Sequence, residues 1–163
     1  MTATCACGGV EITVTGDPIG SNVCYCDDCR NGADLLEALL NATTMRDPDG
    51  GTAYILFRKD RIACSRGAEH LKSYKLRETS VTNRVVAGCC NSAMFMNFDS
   101  GPHWVSAYRA RFHGELPPLQ ARICTKFMPE GTVFPGDVPS YRGYPPEFVF
   151  KLLASRAAML LGR

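Results

Sequence analysis

The chain has 163 residues, a formal net charge of +2, 45% hydrophobic residues and 21% charged residues. This is the composition of an ordinary globular protein, and it excludes collagen-like, coiled-coil and disordered chains, while the length favours one domain over residues 1–163. The longest apolar stretch, 148–161, is interrupted by Lys151, Ser155 and Arg156, and the N-terminus lacks the basic start and apolar core of a signal peptide. We therefore expect no membrane span and no export, and we expect the protein to be cytoplasmic.

The first part of the chain predicts a strand that leads towards a cysteine-rich segment. Val10, Ile12 and Val14 alternate with polar residues, which is typical of a half-buried strand, and residues 16–18 end it. A short extended stretch at 21–23 enters the cysteine-rich segment 24–29. The apolar positions between 33 and 40 have the spacing of a short helix, although a buried irregular segment would show the same pattern.

The middle of the chain predicts an antiparallel, mainly β fold. After the Gly- and Asp-rich breaker at 47–51, short runs rich in β-branched and aromatic residues alternate with Gly, Asn, Asp or Pro. The predicted strands are 52–57, 61–64, 71–76, 81–87, 93–98 and 103–112.

The last part of the chain predicts a long wrap and a terminal helix. Most of the ten prolines lie within 114–146, which favours an ordered loop over regular structure. Pro145 and Pro146 are placed to begin a helix that runs from Glu147 to about Leu161. Its apolar side chains can pack on the sheet or on a second copy of the chain, and the second arrangement would form a homo-oligomer through this helix.

Nine cysteines are the unusual feature of the composition. The number is odd, five of them fall within 5–29, and the chain is expected in a reducing compartment, so the pattern favours metal binding over disulfides. Seven form three groups: Cys5 and Cys7; Cys24, Cys26 and Cys29; Cys89 and Cys90. Adjacent residues of a strand point to opposite faces, so one of Cys89 and Cys90 is expected to be a ligand and the other a buried thiol. The isolated Cys64 and Cys124 are interpreted as buried structural thiols.

The order of these groups resembles that of the glutathione-dependent formaldehyde-activating enzyme family, which includes centromere protein V. The family pattern is C-x-C-G, then C-H-C-x-x-C-R, then R-x-F-C-x-x-C-G-[ST]. In this chain residues 5–8 read CACG, 24–30 read CYCDDCR and 84–92 read RVVAGCCNS. Tyr25 stands where histidine is frequent, and Asn91 stands in place of glycine. The resemblance extends over roughly residues 3–112, and we expect 113–163 to add the proline-rich wrap and the helix.

The resemblance implies a β-tent fold with one or two zinc ions. The structural zinc of the family maps to Cys5, Cys7 and Cys90, and its remaining ligand position maps to Ala87. Cys89 can complete this site, another residue or water can do so, or the site is weak or empty. The catalytic zinc of the family maps to Cys24, Cys26 and Cys29.

Three thiolates and an open fourth position are the ligand count of a catalytic zinc site. Three thiolates on a dication leave a local charge of −1, which weakens the acidification of water but suits an incoming thiol. The resemblance accordingly implies a carbon–sulfur lyase or synthase in which glutathione adds to formaldehyde to give S-hydroxymethylglutathione, or the reverse.

Cations for anionic glutathione are expected from the basic part of the chain. Residues 1–60 carry four basic and nine acidic side chains, whereas 61–163 carry fourteen and seven. No Lys- or Arg-rich run occurs, so nucleic acid is not an expected partner. The candidate residues for glutathione are Arg30, Arg84, Lys72, Lys75 and Arg77.

Two other functions are compatible with the same residues. In the first, the zinc ions stabilise a small β module that binds a protein or another partner without catalysis. In the second, the chain is a thiol redox protein, although the absence of C-x-x-C outside the metal-like run disfavours it.

Overall fold

A computed structural model describes residues 1–162 of the chain as two β-sheets and two helices. Ten strands occur in these residues: β1 (Thr2–Thr4), β2 (Glu11–Val14), β3 (Gly20–Cys24), β4 (Thr52–Arg58), β5 (Ile62–Arg66), β6 (Leu71–Tyr74), β7 (Thr82–Ala87), β8 (Ser92–Phe98), β9 (Trp104–Tyr108) and β10 (Ala121–Ile123). The helices are α1 (Asp27–Glu37) and α2 (Pro146–Leu160). The predicted mainly β fold with a short helix and a C-terminal helix is confirmed.

The larger sheet has seven strands in the order β10-β3-β4-β9-β8-β7-β6, and the smaller one has three in the order β1-β2-β5. All pairings are antiparallel except that of β10 with β3, which is parallel. The alternation of side chains along the central strands gives the large sheet two buried faces. Strand β4 shows this directly, because six of its seven residues are buried.

One face of the large sheet packs on the small sheet. Ile55 and Phe57 of β4 and Met94 of β8 are at most 1% exposed and share a core with Val10 and Ile12. The opposite face of the sheet supports α1 and α2, and its core includes Leu36, Tyr54 and Tyr108. The face of the large sheet that carries Cys24 of β3 therefore packs against α1 and α2, opposite the small sheet.

Two elements differ from the sequence prediction. Helix α1 begins at Asp27, directly after Cys26, and ends at Glu37, so it lies earlier than the predicted 33–40. Its acidic first turn and its buried Ala33 and Leu36 account for that position. The proline-rich segment also contains a strand, β10, whose pairing with β3 was not predicted.

Within the described residues, no helix is both long enough and apolar enough to cross a membrane.

Candidate metal centres

Cys24, Cys26 and Cys29 converge because three local structures meet there. Cys24 ends β3, Cys26 is the N-cap of α1, and Cys29 lies in the first turn of the helix. The backbone N–H of Cys29 donates to the Cys26 carbonyl at 3.0 Å, which closes that turn. The three Sγ atoms lie within 4.8 Å of one another. Thiolates around a tetrahedral zinc ion at the usual 2.3 Å lie about 3.8 Å apart, so these three residues fit such an ion.

The three thiols have different proton affinities in the metal-free chain. The Cys26 thiolate is favoured by hydrogen bonds from the thiols of Cys24 and Cys29 and from N–H groups at the start of α1. These contacts lower the pKa of Cys26 to about 3, although burial opposes this. The pKa of Cys24 is raised by its hydrogen bond with Cys124, by those with Cys26 and Cys29, and by burial. Among the three thiols, Cys26 is therefore the one whose thiolate form its surroundings favour.

Tyr25 fixes the position of the two cysteines beside it. Its side chain points to the other side of β3, where it is fully buried and makes an edge contact with Phe134, with ring centroids 4.9 Å apart. Its hydroxyl donates to Asp49 Oδ2 at 2.7 Å and accepts from Arg122 Nη1 at 2.5 Å. Tyr25, which replaces the frequent histidine of the family, is thus a packing anchor behind the thiols.

A cavity of about 390 Å³ opens beside the thiols of the triplet. Its floor is one face of the large sheet, where cross-strand partners lie side by side. Asn22 pairs with Tyr54 across β3 and β4, Leu56 with Ser106 across β4 and β9, and Ser106 with Met96 across β9 and β8. The residues that line the cavity are Asn22, Cys24, Cys26, Cys29, Tyr54, Leu56, Met96, Phe98, Trp104, Ser106, Ile123, Tyr144, Phe148, Val149 and Leu152.

Helix α2 forms the roof of this cavity through Phe148, Val149 and Leu152. It is held to the sheet by a 2.7 Å hydrogen bond between Ser155 Oγ and His103 Nε2. Tyr144, just before the helix, stacks on Phe148 with ring centroids 5.7 Å apart. The roof is therefore attached at the residue directly before β9, next to the cavity floor.

A second, charged cleft of about 570 Å³ meets the other side of Cys26. It carries two cations, Arg77 and Lys126, and two carboxylates, Asp27 and Asp28. Arg77 Nη2 lies 3.4 Å from Asp28 Oδ1. Cys26 and Tyr144 line both spaces, so an apolar cavity and a charged cleft join at the thiol triplet.

Of the five cations predicted for glutathione, only Arg77 lines this cleft. Arg30 donates to the Phe127 carbonyl at 2.8 Å, and Lys75 pairs with Asp99 at 2.6 Å. Arg84 is 2% exposed and donates to the Asp28 carbonyl at 2.6 Å, against Gly32, where a Cβ atom would lie 2.1 Å from Arg84 Nε. Arg30 and Arg84 are thus placed to support the first turns of α1, and neither lines the cavity or the cleft.

A second cysteine cluster joins the turns of two hairpins. Cys5 and Cys7 lie between β1 and β2, where Gly8 has the positive φ of 74° that the turn requires, and Cys89 and Cys90 lie between β7 and β8. The four Sγ atoms all lie within 4.8 Å of one another. The distances from Cys5 to Cys7, from Cys5 to Cys89 and from Cys7 to Cys89 are 3.5, 3.8 and 3.3 Å, which suit tetrahedral zinc and exceed a disulfide bond.

The family pattern has a cysteine at the position that Ala87 occupies in this chain. Here Cys89, two residues later, brings a thiol to the cluster. Ala87 is fully buried at the end of β7, and the following turn brings the Cys89 thiol to Cys5 and Cys7. Cys90 is also in the cluster and contacts Ser92 Oγ at 3.2 Å. The sequence predicted one ligand and one buried thiol here, but Cys89 is exposed and Cys90 half-buried, and the Sγ atoms of both belong to the cluster because both residues lie in a turn and not on a strand.

The surroundings affect the thiols of this cluster differently, since burial and the hydrogen bonds with Cys7 and Cys5 raise the pKa of Cys89 to about 12. The N–H of Val10 donates to Cys5 Sγ at 3.2 Å. Burial raises the pKa of Cys90, but the hydrogen bond with Ser92 and others lower it to about 6. All nine cysteines of the chain are free thiols.

Cys124, which the sequence predicted as an isolated buried thiol, is 3% exposed and lies next to the triplet. The parallel pairing of β10 with β3 places Ile123 opposite Cys24, and Cys124 follows with a left-handed φ of 61°. Its hydrogen bond with Cys24 lowers the pKa of Cys124 to about 7 despite burial. A single cysteine this far along the chain gives no sequence signal, and only the pairing of β10 reveals its position.

The fold and the two cysteine clusters define a small, mainly β protein with two sites that can hold metal ions such as zinc. The model of the family described as glutathione-dependent formaldehyde-activating enzyme matches residues 1–116. The chain belongs to this family.

Two further comparisons complete this result. The crystal structure of a Rhodobacter sphaeroides protein is similar, with a TM-score of 0.52 and 21% sequence identity, and the match covers 86% of this chain and 100% of that one. At this identity the likeness concerns the fold alone. None of the curated proteins matches the chain.

Proposed function

We propose that the chain is a zinc-dependent carbon–sulfur lyase or synthase that acts on a thiol adduct of the glutathione type, such as S-hydroxymethylglutathione. The observation that carries this proposal is the position of the triplet of Cys24, Cys26 and Cys29 between an apolar cavity and a charged cleft. Family membership supports the same reaction. A metal ion with a purely structural role would need neither the apolar cavity nor the charged cleft beside it.

In this proposal Cys24, Cys26 and Cys29 would hold the catalytic zinc ion. Zinc bound there supplies a Lewis acid that accepts the sulfur of the substrate and favours its thiolate form. The residues around it bind and orient the thiol. Arg77 and Lys126 suit the carboxylates of glutathione, and Asp27 and Asp28 suit its ammonium group. The N-terminus of α1 stabilises the negative charge of Cys26.

The second cluster would hold the structural zinc ion, with Cys5, Cys7, Cys89 and Cys90 as its ligands. Four sulfurs close the coordination shell, which is typical of a site that stabilises a fold. This site would fasten the small sheet, through the turn after β1, to the turn between β7 and β8. We propose no catalytic role for it.

The experiment that tests the function is metal analysis and glutathione calorimetry on Cys26→Ser, with Cys64→Ser as the matched control. Cys64 is a half-buried thiol outside both clusters, and it contacts the Arg66 carbonyl. The proposal predicts that Cys26→Ser loses one zinc ion and glutathione binding while the fold remains. Unfolding of this variant, or wild-type glutathione binding by it, would contradict the proposal.

A zinc-stabilised binding module is the second candidate function. The observation that favours it is the apolar outer face of α2, where Phe150 is 70% exposed and Leu160 is 76% exposed. If the chain is such a module, Cys26→Ser would lose the triplet metal and still bind the partner of the module. We also propose that this face joins two copies of the chain as a homo-oligomer, which light scattering after gel filtration would test.

We propose a cytoplasmic location on the basis of the nine free thiols, which suit a reducing compartment. A fluorescent fusion in the native host would test it, and retention outside the cytoplasm would contradict it.

A further inference from the structure

The cavity beside the triplet is much larger than formaldehyde requires. Its volume of about 390 Å³ lies in the range of pockets for whole organic ligands, which is about 300–1,000 Å³. Formaldehyde has two heavy atoms, and a single water molecule occupies only about 30 Å³ of liquid. A one-carbon substrate would therefore leave most of this space to water against apolar walls.

The walls of the cavity select for an apolar group. Leu56, Met96, Phe98 and Trp104 form much of the floor, and α2 covers it with three further apolar side chains. Among the described residues that line the cavity, none carries a carboxylate, an ammonium or a guanidinium group. Transfer of an alkyl or aryl group from water into such a space is favourable by about 25 cal/mol per Å² of apolar area, whereas an anion would lose its hydration there without a partner.

One buried polar group in the lining lacks a partner. Asn22 is 3% exposed, lines the cavity, and its Nδ2 makes no hydrogen bond within the described structure. Buried donors are nearly always paired, because an unpaired one costs about 1–3 kcal/mol. Asn22 lies on the same face of β3 as Cys24 and two residues before it, about 7 Å away along the strand. The Nδ2 atom lies towards Gly20, where a Cβ atom would come within 3.2 Å of it, and so points away from Cys24 along β3. The amide is therefore a free donor at the end of the cavity remote from the triplet, and the selection at the triplet rests on the apolar walls.

We propose that the carbonyl substrate of the triplet site is an aldehyde with an apolar alkyl or aryl body, which occupies the cavity under α2. This inference rests on the proposed function. In the synthetic direction the thiolate sulfur forms a bond to the carbonyl carbon, the C=O π pair moves to the oxygen, and that oxygen takes up a proton in place of the one lost by the thiol. The product is a hemithioacetal, and no electrons are exchanged with another reactant.

In this scheme the charged cleft and the apolar cavity bind different reactants. The charged cleft with Arg77 and Lys126 holds the hydrophilic body of the thiol, and the apolar cavity holds the body of the aldehyde. The roof of the cavity lies in α2, beyond the residues 1–116 that match the family. The roof's share of the preference for the aldehyde therefore comes from a segment that the family match does not include, whereas the floor lies within the match.

Trp104 allows a direct test of binding without turnover. It is the single tryptophan of the chain and it lines the cavity, so its fluorescence reports occupancy. The probe is 2-phenylethanol, which has an aryl group and a hydroxyl but no electrophilic carbon, added to the metal-free and zinc-loaded protein. We expect saturable binding to both forms.

Leu152→Lys should weaken the binding of 2-phenylethanol about tenfold or more, because it places a charge in the cavity. The matched control, Leu153→Lys, changes a side chain that is 62% exposed on the same helix and should bind within twofold of wild type. Circular dichroism would confirm that both variants are folded.

The second arm follows exchange between free aldehyde and its glutathione adduct by NMR on the zinc-loaded protein. We expect the adduct of phenylacetaldehyde to exchange at least tenfold faster, relative to the uncatalysed rate, than that of formaldehyde, and Leu152→Lys to abolish this preference. Equal or greater acceleration with formaldehyde, together with no binding of 2-phenylethanol, would overturn the inference and leave the proposed function standing. No acceleration with either aldehyde would overturn the proposed function, and the inference with it.

Discussion

Gly51 controls the position of the thiol triplet from behind the sheet, and Gly51→Ala is the most informative substitution there. A Cβ atom at this position would lie 2.4 Å from Val23 Cγ1 and 2.7 Å from the Tyr25 ring. Ordinary contacts begin near 3.4 Å, so Val23 or the backbone would have to move by about 1 Å. Neither neighbour can yield easily, since both side chains are fully buried and the Tyr25 hydroxyl is fixed by Asp49 and Arg122.

The magnitude of the effect follows from this displacement. Overpacking of a dense core costs about 1–3 kcal/mol in the free energy of unfolding. A shift of this size also exceeds the tolerance of about 0.2 Å in metal–ligand distances, and Cys24 lies between the two displaced residues. Gly51→Ala should therefore lose the metal of the triplet and keep that of the second cluster.

The assay is urea unfolding together with zinc analysis after gel filtration, with Gly136→Ala as the control. A Cβ atom at Gly136 would meet no heavy atom within 4 Å, so this variant should keep wild-type stability and zinc content. Wild-type stability and both metal ions in Gly51→Ala would refute the reasoning.

Three other predictions concern other parts of the molecule. Cys89→Ser should remove the metal of the second cluster, as measured by zinc analysis against Cys64→Ser, and retention of that metal would show that Cys89 is not a ligand. Burial raises the pKa of Glu37, but hydrogen bonds from Met45 and Arg46 lower it overall, so its stabilising effect is present at neutral pH and is lost as the pH falls through the folded pKa. Glu37→Gln should lower the free energy of unfolding at pH 7 by about 1–3 kcal/mol and by less at acidic pH, as measured by urea unfolding. An equal loss of stability at every pH would contradict this. Ser155→Ala removes the hydrogen bond to His103 and should lower the stability by about 1 kcal/mol, with faster hydrogen exchange in α2, and unchanged exchange there would contradict this.

The sequence predicted the elements whose pattern is local. Alternation identified β2, and the cysteine spacing identified the groups that the fold brings together. The strands β1 and β10 have three residues each, too few to show a period. The start of α1 was missed because Asp27 and Asp28, the acidic residues of its first turn, lie within the cysteine-rich segment 24–29, for which no helix was predicted.

The surroundings of the site depend on tertiary structure and were not predictable in the same way. Cys124 reaches Cys24 through the parallel pairing of β10, and the roof of the cavity depends on how α2 attaches to His103. The burial of Arg84 against Gly32 likewise follows from the packing of α1 on β7, whereas the sequence shows only a charged residue. These contacts join residues that are far apart in the chain.

X-ray absorption at the zinc edge of the purified protein, with the total metal content, tests the central claim most directly. The account predicts two zinc ions per chain, one with four sulfur neighbours and one with three sulfurs and a lighter atom that glutathione replaces with a fourth sulfur. A triplet that holds no metal, or one that is already closed by a fourth sulfur from Cys124 and unchanged by glutathione, would contradict it.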